Sequence, residues 1–265
     1  MRFPSFKIAA SLGIVAALAA GAFATASEEA LPPADEILDA FVEASGGKDA
    51  YDRVDNRVTH GTMEVVGQGI SMDLTVYSAR PGKTYMVIAS DATGKIEKGT
   101  DGEVVWESSA MMGPQIKDGQ EKVDFLREAI LDKFVRWREV YGSAESAGVE
   151  TVDGSAAYKV ILTPKDSRPQ SWFFDRASKL LVKVELTVEN PMGEFPVETF
   201  LSDYREIDGV LIPHLAKVVV MGQQRLMTTE NVEQNVDLPE DRFELPDEIR
   251  ALLEDEPSGP EKEAG

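Results

Sequence analysis

Ile37, Leu38, Phe41 and Val42 fall at helical spacing behind Pro32-Pro33 and the acids Asp35 and Glu36, and Gly46-Gly47 ends the run. Acids near the positive end of the dipole and glycines after the last apolar residue predict a helix there. A short second helical piece is expected at about 48–54. From Arg57 the period changes to two. Ile70, Met72, Leu74 and Val76 alternate with Ser71, Asp73, Thr75 and Tyr77, the pattern of a strand with one apolar face. Further runs cover 83–90, 95–100 and 104–109, separated by Pro81-Gly82, Thr93-Gly94 and Asp101-Gly102. Turn residues at such close intervals predict antiparallel hairpins, because parallel strands would need long crossovers.

Met111-Met112-Gly113-Pro114 then reads as an apolar loop, and a helical insertion is expected from Asp118 to about Tyr141. Val123, Leu126, Ile130, Phe134 and Trp137 form its apolar stripe at steps of three or four. Strands resume over 149–152, 156–163, 171–175, 179–188, 195–207, 210–221 and 225–236. Asp153-Gly154, Asp208-Gly209 and the 175–178 stretch supply the turns. Leu181 breaks the alternation of its strand. The pattern amounts to about eleven or twelve strands in one mainly β domain with helices, 27–253. Residues 247–253 suggest a last helical turn, and 254–265 a disordered acidic tail.

The first 26 residues change the compartment. Arg2 and Lys7 precede an uncharged Ala-, Leu- and Val-rich run from Ile8 to Ala26, and Ala24-Thr25-Ala26 gives the small-x-small cleavage pattern. This predicts a signal peptide cleaved after Ala26 and a periplasmic or otherwise exported protein. The alternative is an uncleaved anchor, because 19 uncharged residues can just span a bilayer. The 265-residue chain has 47 acidic and 27 basic residues, for a net charge of −20. Cleavage removes two bases and no acid, leaving −22. Such acidity disfavours nucleic acid and anionic headgroups as partners. No cysteine is present, so disulfides, thiolate metal sites and a Cys nucleophile are excluded.

The familiar catalytic constellations do not assemble. His60 and His214 both lie in strand patterns, without a neighbouring metal-ligand motif. Ser45-Gly46-Gly47-Lys48 fits S-x-x-K, but that chemistry needs the Ser to open a helix, and here it ends one. No metal, cofactor or enzymatic activity is expected.

Other residues carry a resemblance. Tyr158-Lys159-Val160-Ile161-Leu162-Thr163-Pro164 is followed by Trp172-Phe173-Phe174-Asp175 and Leu180-Leu181. Then come the run from Phe200 through Ser202-Asp203-Tyr204-Arg205 and Asp208-Gly209 to Pro213, Asn235-Val236-Asp237-Leu238-Pro239, and Phe243-Glu244-Leu245-Pro246. With the opening helix and Asp101-Gly102-Glu103-Val104-Val105-Trp106-Glu107, their order and spacing resemble the LolA/LolB-like superfamily, often described as outer-membrane lipoprotein-sorting proteins. The resemblance covers about 35–246. It implies a curved, incompletely closed antiparallel β-barrel of about eleven strands, with helices plugging the concave side. It also implies a carrier or sensor that holds acyl chains between sheet and helices.

The residues add modest support. Strands at 85–89 and 218–221 are apolar on both faces, more than a sheet with one solvated face needs. The expected cavity wall is Met72, Leu74, Val76 and Trp106, with Met111 and Met112 as a compliant lid and Leu126, Ile130, Phe134 and Trp137 from the helical insertion. The expected function is non-enzymatic carriage of a lipid, acyl chain or lipoprotein, with lipid or an acylated protein as partner. The alternative is a protein-interaction or sensor module whose core is filled by its own side chains. A hydrolase would require carboxylates or the two histidines to converge in one cleft.

Overall fold

A computed structural model describes residues 30–91, 94–190 and 193–255; the expected signal peptide and residues 256–265 of the expected tail lie outside them. Helices α1 (Ala34–Ala44) and α2 (Lys48–Asp52) open the described chain. A first meander follows: β1 (Asn56–Val65), β2 (Ile70–Ala79), β3 (Lys83–Ser90), β4 (Gly94–Thr100), β5 (Val105–Ser109) and β6 (Gly113–Lys117). Helices α3 (Gly119–Glu128) and α4 (Trp137–Val140) lead to the second: β7 (Tyr141–Val152), β8 (Ser155–Pro164), β9 (Gln170–Asp175), β10 (Leu181–Asn190), β11 (Gly193–Ile207), β12 (Val210–Val220) and β13 (Gln223–Gln234). Helix α5 (Asp247–Asp255) closes it.

All 13 strands form one antiparallel sheet, in the order β6-β5-β4-β3-β2-β1-β13-β12-β11-β10-β9-β8-β7. Among the described residues only the β1–β13 pairing joins strands distant in sequence, with Arg57 opposite Gln234 and Val65 opposite Arg225. Strands β6 and β7 are its two edges, so the sheet is not closed. It must nevertheless curl. Helix α3 touches both β5 and β10, which stand eight positions apart in that order. Eight steps across a flat sheet cover roughly 38 Å, whereas a ten-residue helix is only about 15 Å long.

Register shows which face curls inward. One row runs Val65, Arg225, Val218, Thr199, Val184, Trp172, Val160 from neighbour to neighbour. A second runs Thr59, Val76, Met86, Lys98, Glu107. Trp172 and Val160 pack against α1, and Lys98 lies over the Phe125 ring of α3, so both rows belong to the concave face. Over β7–β10 that face is filled by Ile37, Leu38 and Phe41 of α1 with Phe134, Trp137 and Tyr141. A second cluster joins Ala50, Tyr51 and Val54 to Val210, Ile212 and Val232, with Leu131 and Val135 against it.

Four expectations need correction. Among the described residues there are 13 strands rather than about eleven. Strand β6 lies partly in the stretch read as an apolar loop, where Pro114 tolerates an edge position. Strand β7 starts at Tyr141 rather than Val149, because Gly142–Gly148 is small and polar and pairs with β8 through two irregularities without any apolar alternation. The helical insertion is not continuous: α3 stops at Glu128, and turns carry the chain to α4. Of its stripe, Phe134 and Trp137 join the α1 cluster, while the neighbouring Leu131 and Val135, outside the stripe, pack against the α2 cluster. The irregular Leu181 is a register shift between Leu181 and Lys183 against β9. It lets Leu181 and Val184 both meet the α1 cluster.

Burial, above all, holds Tyr51, Tyr85, Tyr141 and Tyr204 above the ordinary tyrosine range. The neutral phenols are favoured by folding, so this contribution is complete below about pH 10. It is lost as pH rises through the elevated folded values. Alkaline unfolding is therefore expected above about pH 10, with tyrosinate absorbance and circular dichroism changing together. Ionisation of all the tyrosines near pH 10 with the fold intact would contradict it.

Candidate functional site

The concave face is tightly packed over β7–β10 and where α2 meets Val210, Ile212 and Val232, and is looser elsewhere. Met72 and Leu74 are buried, but Met63, Val76, Met86, Ile88 and Ile96 are only half-buried, as are Val197, Val218, Val220 and Met227. These side chains share one face by register, and none belongs to the packed clusters around α1 and α2. They form an apolar strip on the concave face, which α3 spans between β5 and β10. Charge holds that helix to the β4–β6 end of the sheet: Glu121 lies 3.3 Å from Lys117 Nζ and 3.9 Å from Lys98 Nζ, and Glu107 faces the same two lysines.

The two rims of the sheet differ in chemistry. One carries Pro81-Gly82, Asp101-Gly102, Asp153-Gly154 and Asp208-Gly209, and here the α1–α2 junction docks, with Leu211 N–H donating to Ser45 O at 2.8 Å. The opposite rim carries the β1–β2, β5–β6 and β12–β13 turns, and there Val66, Met111, Met112 and Met221 project. Met111 is 93% exposed and Met221 is 72% exposed. Apolar side chains thus mark the rim that leads onto the strip.

The ten residues expected to line a cavity are dispersed. Met72, Leu74 and Val76 lie on the concave face, and Leu126 is half-buried on α3. Met111 and Met112 sit exposed at the β5–β6 hairpin tip. Phe134 and Trp137 are core, Phe134 lying 6.0 Å from Phe41 and 5.2 Å from Trp172 between ring centroids. Ile130 lines a separate cavity of about 440 Å³ with Arg80, Leu131 and Val140.

Trp106 is on the wrong side of the sheet. Its row is Val58, Tyr77, Tyr85, Gly99, Trp106, of opposite parity to Val76. A Cβ on Gly99 would come within 3.1 Å of the indole, so a side chain there would have to displace it. The C-terminal segment covers this outer face. The Arg242 guanidinium lies 4.4 Å from the Tyr77 ring centroid, and Ser108 Oγ donates to Glu248 at 2.7 Å. Val104-Val105-Trp106 is apolar on both faces, so the sequence held no cue to the parity. His60 and His214 likewise point to opposite faces, His214 buried with Nδ1 2.9 Å from Ile212 O.

Sequence reasoning missed Arg127, Ser167 and Gln170, which with Leu186 and Val188 line a cavity of about 170 Å³ where α3 meets β10. Arg127 follows Leu126 within the apolar stripe, and no motif marks it.

An open, strongly curled antiparallel sheet with helices inside is the architecture of LolA-like proteins, and this chain has the LolA-like fold. A DUF1329 family protein from Desulfovibrio piger superposes with a TM-score of 0.56 at 17% identity, over 81% of this chain and 98% of that one. A LolA superfamily protein from Nitrosomonas europaea gives 0.55 at 13% identity, over 80% and 98%. A putative outer membrane lipoprotein-sorting protein domain from Vibrio parahaemolyticus gives 0.52 at 13%, over 80% and 97%. No family model and no curated relative matches the sequence.

Proposed function

We propose that this chain is an exported, non-enzymatic carrier that holds a lipid, an acyl chain or an acylated protein against the concave face under α3. The half-buried apolar strip from Met63 and Met86 across to Val218 and Met227 carries this reading. Ordinary core over β7–β10 is nearly inaccessible, with Val160 and Leu162 at 0% exposure, whereas the strip retains surface for a ligand. Each methylene buried there contributes about 0.8 kcal/mol, so even a short chain repays opening the slot. The methionine-tipped rim supports the reading, since an apolar cargo would enter where apolar side chains project. Among the described residues no helix is long and apolar enough to cross a membrane.

The second reading, an interaction or sensor module with a self-filled core, draws on the α1 cluster, where Trp172, Phe174 and Leu38 occupy the concavity themselves. The two separate experimentally. Native mass spectrometry of the purified chain should show co-purified lipid, and a fluorescent fatty-acid probe should bind saturably. Met86→Arg, at a half-buried position, should weaken the probe by at least about tenfold while the fold survives. No lipid and no saturable binding would favour the self-filled module.

A further inference from the structure

The cavity between α3 and β10 contains leftover hydrogen-bond donors above an apolar floor. Leu186 pairs with Val197 and, through it, with Val220, which places it on the concave face; Val188 follows two residues on. Above them the Arg127 side chain is only 7% exposed. Its Nη2 donates to the Asp124 carboxylate, and its Nη1 lies 3.5 Å from an Asp166 carboxylate oxygen without making a hydrogen bond. Nε and Nη1 therefore have no acceptor. Buried donors are almost always met, because an unmet one loses its hydration without compensation.

Two acceptors beside the cavity are already engaged. Asp124 Oδ1 also receives Ser167 Oγ at 2.6 Å and Gln120 Nε2 at 3.2 Å. Gln170 Oε1 receives Trp172 Nε1 at 3.1 Å and the Tyr141 hydroxyl at 3.4 Å. What is missing is an acceptor. Charge decides which kind. Asp124, Glu128 and Asp166 surround Arg127, and the other cation at the cavity, Arg168, is bound to Glu194 and Glu189. An anion would meet more negative than positive charge, whereas a neutral carbonyl supplies lone pairs without that repulsion.

We infer that this cavity is the polar end of the ligand site, where Arg127 donates to the ester carbonyl of a neutral acyl lipid whose chain runs over Leu186 and Val188. The inference rests on the carrier reading and adds a ligand class, acyl esters in preference to free fatty acids.

The test uses the purified chain with N-phenyl-1-naphthylamine, an apolar reporter without a carbonyl, displaced by 1-monodecanoylglycerol or by decanoate below their micellar concentrations. The ester should displace the reporter at a concentration at least about tenfold lower than decanoate, and Arg127→Met should abolish that preference, with reporter affinity kept within about twofold. Arg127→Lys, which keeps the charge beside Asp124 but loses Nε, should lower ester affinity to a lesser extent; if Arg127→Met fails to fold, unchanged ester affinity in the Lys variant overturns the assignment. Equal displacement by ester and decanoate, or an Arg127→Met variant with undiminished preference, would show that the donors are merely hydrated, leaving the carrier reading standing. Absence of saturable reporter and ester binding in the unaltered protein would overturn both.

Discussion

Gly46→Ala is expected to destabilise the protein by about 3–4 kcal/mol, lowering the melting temperature by roughly 10 °C. Gly46 sits at φ +132°, and a Cβ there would lie 2.2 Å from Gly209 O, a backbone atom of the β11–β12 turn. No rotamer change relieves such a clash. The α1–α2 junction would have to lift off the turn, losing the Leu211 N–H to Ser45 O bond and loosening Ala50 and Tyr51 from Val210 and Ile212. Gly67→Ala is the control: φ is +79° there, but nothing lies within 4 Å, so only the backbone term of about 1 kcal/mol applies. Urea denaturation of both variants reads the difference. A Gly46→Ala variant no less stable than Gly67→Ala would show that the junction is not seated as described.

The second large effect is expected at Asp132. This carboxylate is 4% exposed, and its Oδ2 accepts from Arg80 Nη1 and from Arg136 Nε, each at 2.6 Å. Arg80 is held independently, with Nε donating to Val54 O and Nη2 to Tyr51 O, so it cannot follow a lost partner into water. Asp132→Ala therefore leaves a largely buried guanidinium without its counter-charge, at a cost of about 3 kcal/mol. The Asp39–Arg138 pair is bidentate, with Nη1 and Nη2 each 2.8 Å from a separate carboxylate oxygen, but both side chains are more than half exposed, so Asp39→Ala should cost below about 1 kcal/mol. Hydrogen exchange in the 129–140 segment should accelerate in Asp132→Ala and remain unchanged in Asp39→Ala. Equal effects would mean that Asp132 does not anchor the segment.

Asp132 also explains why the helical insertion was only half legible. Val123, Leu126, Ile130, Phe134 and Trp137 keep helical spacing, and spacing alone predicts one long helix. The observed turns, with Val135 N–H on Asp132 O at 3.0 Å and Lys133 N–H on Ile130 O at 3.2 Å, bring Asp132 to Arg80 and send the apolar residues to separate clusters. The partner lies 52 residues away, beyond any local signal. Trp106 was unreadable for a different reason: three apolar residues in succession leave strand parity undetermined, and neighbouring strands fix it.

The sequence by itself determined α1, most of the strands and the Asp-Gly turns, because these follow from side-chain period and from backbone preferences of single residues. It also determined the meander topology, since short turns leave antiparallel pairing as the only geometry. Tertiary structure alone decided the join between β1 and β13, the face on which Trp106 sits, the break after α3 and the unmet donors of Arg127. Each of these depends on which surfaces meet across the curl. Periodicity reports only that a residue is apolar on some face; burial, parity and unpaired donors are properties of the neighbours that folding supplies.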